Sequence, residues 1–180
     1  MEKSRKGQYF SFDAIIASII FIIAISVLSS YWYGVQSVMD SRSENMYNEV
    51  MRVSDILMSD GTPSNWDSNP AAVLQYGLLK NKTTYELDEN KITQLTAYLD
   101  SASAHYNETR QKLGLSKYQI YVTIGNNTNP ASLASMGYDP ATDPKAANIA
   151  TASRVGHIKL SGVDTLATVR IVIWTENMDY

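Results

Sequence analysis

The sequence predicts an α+β protein, in which a long N-terminal apolar helix continues outward into a head of helices packed on a small antiparallel β-sheet. Three observations predict it. Ala14 to Gly34 run for 21 residues without a formal charge, and Gln36 to Met58 carry apolar residues near helical spacing with no Gly or Pro. Three later segments, 118–124, 153–160 and 167–174, alternate apolar with polar residues and are rich in β-branched or aromatic types.

The totals agree with one head domain beyond the apolar segment. Mean hydropathy is −0.20 although one stretch is intensely apolar, so a greasy N-terminus and a polar body must be read separately. The formal charge is −3; without residues 1–7, which hold Lys3, Arg5, Lys6 and Glu2, 12 basic and 17 acidic residues remain, or −5. Such an acidic head is a poor nucleic-acid ligand. The absence of cysteine excludes a disulfide framework, an iron–sulfur cluster and a cysteine zinc site.

As a helix, Ala14 to Gly34 is about 31 Å long, the thickness of a bilayer core. Lys3, Arg5 and Lys6 precede it, while Asp40, Arg42, Glu44 and Glu49 follow, so the positive-inside rule keeps the N-terminus cytoplasmic and places the body outside the cell. A secretory signal would set its basic residues against the apolar run and be cut behind it, at a site such as Ala24-Ile25-Ser26. Here the basic cluster ends instead in Gly7, and Asp13 stands at the mouth of the apolar run. An acid that must enter lipid costs a few kcal/mol, which makes it a functional position in search of a partner.

Lys6-Gly7-Gln8, followed by Ser11, Asp13 and an Ile-rich helix, resembles the class III signal peptide of archaeal type IV pilin-like proteins. The resemblance implies cleavage after Gly7 by a prepilin peptidase, a mature chain starting at Gln8, and Asp13 as the acid that neutralises a neighbouring subunit's amine during assembly. The family pattern is Gln-x-Ser-x-Glu with the acid fifth, whereas Ser11 is fourth, the acid is sixth and it is Asp. The expected division is therefore 1–7 signal peptide, 8–35 membrane or filament-core helix and 36–180 extracellular head. Gly61-Thr62-Pro63, Asn65-Trp66, Gly77-Leu78, Leu113-Gly114-Leu115 and Tyr118 also resemble residues of that class.

In the body, Val35, Val38, Val50, Val53, Ile56 and Leu57 mark the face by which the extended helix packs the head, with Gly34 its weak point. Asp60-Gly61-Thr62-Pro63 stops it, and Trp66 folds back as a core plug. A short helix is expected from cap Asn69 and Pro70 to Gly77. A longer one is expected from cap Asp88 to stop Gly114, with a Leu87–Ile92 staple and Ile92, Leu95, Leu99, Ala102, Tyr106 and Leu113 buried. Ser161-Gly162-Val163-Asp164 turns the last two strands into an antiparallel hairpin. Gly125 to Ala152, 28 residues rich in Asn, Ala, Ser, Thr and Pro, reads as a structureless insertion, either a binding loop or disordered.

No catalytic constellation is legible. His105 on the long helix and His157 in a strand are isolated; Glu86, Asp88 and Glu89 suit a helix start; Asp139 and Asp143 fall short of the 6 to 8 oxygens calcium takes. No metal ligand set or cofactor is expected. Asn81, Asn107 and Asn126 open N-glycosylation sequons, Asn126 at the start of the expected exposed loop. The reading that unites these features is a pilin-like structural subunit of a surface filament, adhesive through its head, whose partners are membrane lipid, sibling subunits, prepilin peptidase and the assembly machinery. A single-pass anchor carrying a non-enzymatic binding domain is the alternative. An exported enzyme would need polar groups converging in a pocket.

Overall fold

The computed structural model describes residues 6–126, 133–160 and 162–176, with side chains from Phe12 onward except at 41–43. The chain forms two compact units, Met1–Arg42 and Ser43–Tyr180. Helix α1, Lys6–Leu57, contributes to both. It passes Gly34 without a break; one glycine in a helix costs about 1 kcal/mol, too little to interrupt a long helix by itself.

In the first unit every described side chain of α1 is exposed, including those of Val35 and Val38, so the buried stripe of α1 starts later than expected. In the second unit the helix buries Met46, Val50, Val53 and Leu57 on one stripe. The chain then turns back on itself: the Leu78 amide donates to the Leu57 carbonyl at 2.8 Å, and the Leu79 amide to the Ser59 carbonyl at 2.9 Å. Trp66, fully buried, plugs this loop as the sequence predicts. The expected helix after Asn69 shrinks to a single 3-10 turn, Pro70–Ala72, and the Asn69 side chain makes no cap. The reason is tertiary: Thr62 bridges Gln75, which holds the following residues extended.

Strands β1, Leu79–Asn81, and β2, Glu86–Leu87, form a small antiparallel pair that alternation over so few residues does not signal. Helix α2, Glu89–Leu99, starts where the sequence places it: Asp88 Oδ1 accepts from the amides of Asn90 and Lys91, and Leu87 and Ile92 are both buried. The long helix expected up to Gly114 is in fact two. Asp100 and Ser103 interrupt it by taking the amides of Ala102 and His105 into side-chain turns. Ala102 is consequently exposed, and His105 is the residue before α3, Tyr106–Lys112. Gly114, at φ +78°, ends α3 with the Leu115 amide on the Arg110 carbonyl and the Gly114 amide on the Gln111 carbonyl, the two bonds of a Schellman motif.

Strands β3, Gln119–Gly125, β4, Ala134–Gly137, β5, Ala146–Leu160, and β6, Val163–Glu176, complete a six-stranded sheet in the order β1-β2-β5-β6-β3-β4. β5 and β6 form the antiparallel hairpin predicted, from Leu160 opposite Val163 to Ala146 opposite Glu176. The sheet is mixed rather than purely antiparallel, because β2 runs parallel to β5 with Glu86 opposite His157. The insertion expected to be structureless contains β4 and the first half of β5; these residues have weak strand propensity of their own and are held by pairing with β3 and β6. One face of the sheet, with Ile120, Val122, Ile124, Ala167, Val169, Ile171 and Ile173, is buried in the core shared by the helices.

Candidate functional site: the N-terminal apolar helix

The sequence-predicted functional residues lie at the start of α1. Lys3 and Arg5 fall outside the described residues; Lys6, Gly7 and Gln8 are helical, and Asp13 is helical with an exposed side chain. Positions 8 and 13 of a helix are about 140° apart around the axis and about 7.5 Å apart along it. Gln8 and Asp13 therefore lie on different sides of one helix.

From Ala14 to Gly34 the helix carries no charge and is apolar all round. Ile15, Ile16, Ile19, Ile20, Phe21, Ile22, Ile23, Ile25, Val27 and Leu28 are all exposed, so no single face is reserved for a core. An all-apolar helix is stable only in lipid or among other helices. Two of its serines are internally satisfied: Ser18 Oγ donates to the Ala14 carbonyl at 2.7 Å and Ser26 Oγ to the Ile22 carbonyl at 2.8 Å. Neither hydroxyl brings an unmet hydrogen bond into an apolar medium. By length and composition, this helix near the N-terminus is able to cross a membrane.

The sequons occupy different settings. Asn81, at the end of β1, is exposed and its Oδ1 accepts from the Thr83 amide at 2.9 Å; Asn126 is exposed just after β3, with the rest of its sequon outside the described residues. Asn107 is exposed within α3, where Arg110 Nη2 donates to its Oδ1 at 3.3 Å, whereas Asn81 ends a strand and Asn126 follows one.

Several titratable groups of the second unit lie beside local groups. His105 stacks on Tyr98 at 4.7 Å, with Nδ1 4.0 Å from Glu108; the buried His157 Nδ1 is 3.6 Å from Asp164 and makes no hydrogen bond. Asp139 and Asp143 close turns onto the Ala141 and Lys145 amides, and among the described residues no three His, Asp or Glu side chains converge as a metal site. Glu108, bonded to Lys112 at 2.9 Å, is held below the usual carboxylate range by that hydrogen bond and charge.

A cleft of about 330 Å³ is lined by Asp55, Met58, Lys82, Tyr85, Arg154 and Val155. Its Arg154 guanidinium already donates to Asp55 at 2.7 Å, and the two histidines do not line it. Sequence reading missed Lys91, which is buried in α2 and donates from Nζ to the carbonyls of Asp60 at 2.9 Å and Leu79 at 2.8 Å. Its signal was a lysine beside Ile92 on the apolar stripe. No protein-family model, curated protein or solved structure matches the chain.

Proposed function

We propose that the chain is a pilin-like structural subunit, held in the membrane by α1 and able to pack through that helix against sibling subunits in a surface filament. The observation that carries this reading is a stretch of α1, Ala14 to Gly34, apolar on every side and without a formal charge, with the acid Asp13 at its N-terminal end. Lys3, Arg5 and Lys6 hold the N-terminus inside, prepilin peptidase cuts between Gly7 and Gln8, and the α+β unit is displayed outside. The work of the protein is assembly and adhesion, not catalysis. Asp13 is neutralised by the amine of a neighbouring chain, which removes the cost of carrying a carboxylate into an apolar helix bundle.

The all-round apolarity of the helix also favours a second reading, a plain single-pass anchor for a binding domain, in which Asp13 is incidental. Two measurements on native cells separate the readings. The N-terminal peptide mass starts at Gln8 if the chain is processed as a prepilin and at Met1 if it is a plain anchor; a start beyond Ser26 rejects both. Asp13→Ala abolishes filaments or co-purification of sibling chains in the first reading and leaves localisation and partners unchanged in the second.

A further inference from the structure

We infer that Tyr31, Trp32 and Tyr33 form an interfacial girdle that sets the depth of α1 in the bilayer, in the headgroup layer on the side opposite Asp13. The inference rests on the membrane-held state proposed above and adds where the helix stops sliding.

Three consecutive helical positions span about 200° of the circumference, so these rings ring the helix instead of lining one face. All three are solvent-facing, at 71%, 67% and 71% exposure. Tyr and Trp are absent from Ala14 to Ser30, where the run is aliphatic apart from Phe21, Ser18, Ser26, Ser29 and Ser30. Amphipathic rings gathered at one end of an aliphatic helix match the aromatic belt of membrane interfaces, where the apolar body of each ring meets hydrocarbon and its O–H or N–H meets water.

The spacing supplies an independent constraint. Trp32 is 19 residues beyond Asp13, about 29 Å along the axis, or about 27 Å of depth at an ordinary tilt near 20°. That is close to the roughly 30 Å hydrocarbon core. With the girdle at one boundary, Asp13 reaches the other boundary and stays in contact with water. A subunit waiting in the membrane thus avoids burying its carboxylate, and the acid enters an apolar setting only if the helix leaves that depth.

The chain's own tryptophans provide the probe. Trp66 and Trp174 are fully buried in the second unit, so of the three tryptophans only Trp32 is open to lipid. The full-length protein is reconstituted into phosphatidylcholine vesicles whose acyl chains are brominated either near the headgroup or near the chain ends. The larger loss of Trp emission is expected with bromine near the headgroup, and Trp32→Phe removes that loss. Greater quenching near the chain ends overturns the girdle while leaving membrane insertion intact. No quenching in either vesicle overturns both the girdle and the membrane-held state. In Tyr31→Leu/Tyr33→Leu, with Trp32 retained, quenching shifts toward the chain-end bromines; an unchanged depth profile overturns the claim that the girdle sets depth.

Discussion

The Trp66 indole N–H donates to the Gly77 carbonyl at 2.9 Å, closing an eleven-residue excursion of the chain onto its own core. The Trp66 ring meets Tyr76 edge to face at 5.2 Å and is completely buried. Gly77 is required at the other end, since a Cβ there would collide with the Ser59 carbonyl and the Gly61 amide. Because those are backbone atoms, the clash cannot be relieved by a rotamer change. Gly77→Ala is expected to lower unfolding stability by roughly 2–4 kcal/mol, and Trp66→Phe, which orphans one buried carbonyl, by about 1–3 kcal/mol. Chemical denaturation of the full chain in detergent checks both; a neutral Gly77→Ala would mean that the loop does not need this close approach.

Lys91→Met keeps the length of the side chain and deletes its charge and donors. The Leu79 carbonyl then loses its Nζ partner in a buried setting and the Asp60 carbonyl in a part-buried one, and the expected cost is about 1–3 kcal/mol. The urea midpoint should fall without a change in slope, because the surface exposed on unfolding is unaltered. A midpoint equal to wild type would show that water serves these carbonyls equally well.

Alkaline pH should weaken the second unit. Burial raises the phenols of Tyr76 and Tyr106 above their ordinary value of 10.0, against the opposing pull of hydrogen bonds with Thr109 and the Ile120 amide respectively. The folded chain then keeps protons that the unfolded chain releases, so the contribution of these two phenols to stability is constant below about pH 10 and is lost as pH rises through the folded values. Lys112, raised chiefly by its hydrogen bond to Glu108, acts in the same direction. Tyr76→Phe is the cleaner variant, losing only a 3.4 Å contact with Thr109. Its melting temperature should decline less steeply above pH 10 than that of wild type; parallel declines would remove Tyr76 as a cause.

What was legible in the sequence was whatever local chemistry decides. The uncharged run became a continuous helix, Asp88 became a cap because its carboxylate reaches two free amides, and Gly114 became a stop because it takes positive φ cheaply. Residues decided by distant partners were illegible. Ala146 to Ala152 carry no strong strand signal, yet β6 supplies a ladder for them. Glu86 finds His157 across 71 positions of sequence, helped by Gly156, where a Cβ would press to 2.9 Å from the Tyr85 carbonyl. The break at Asp100 lay between these cases: Asp100-Ser101-Ala102-Ser103 offers side-chain oxygens to the backbone, a signal outweighed in the reading by the apolar stripe that continues past it. At the candidate site the apolar run and Asp13 were evident from composition, while the Tyr31–Tyr33 cluster acquired meaning only once its exposure and distance from Asp13 were known.

Among the described strands β6 is last in sequence but lies between β5 and β3 in the sheet. During N-to-C synthesis, the strands that will flank it emerge with no one to pair with along their inner edges, and they wait until Trp174 has appeared opposite Gln119 and Ile149. The β1–β2 and β3–β4 pairs need no later strand, but vectorial emergence cannot join the two halves of the sheet until β6 appears. The inner edges of β3 and β5 therefore stay open until one late, long-range closure, the interval in which unpaired edges are most open to mispairing with another nascent copy.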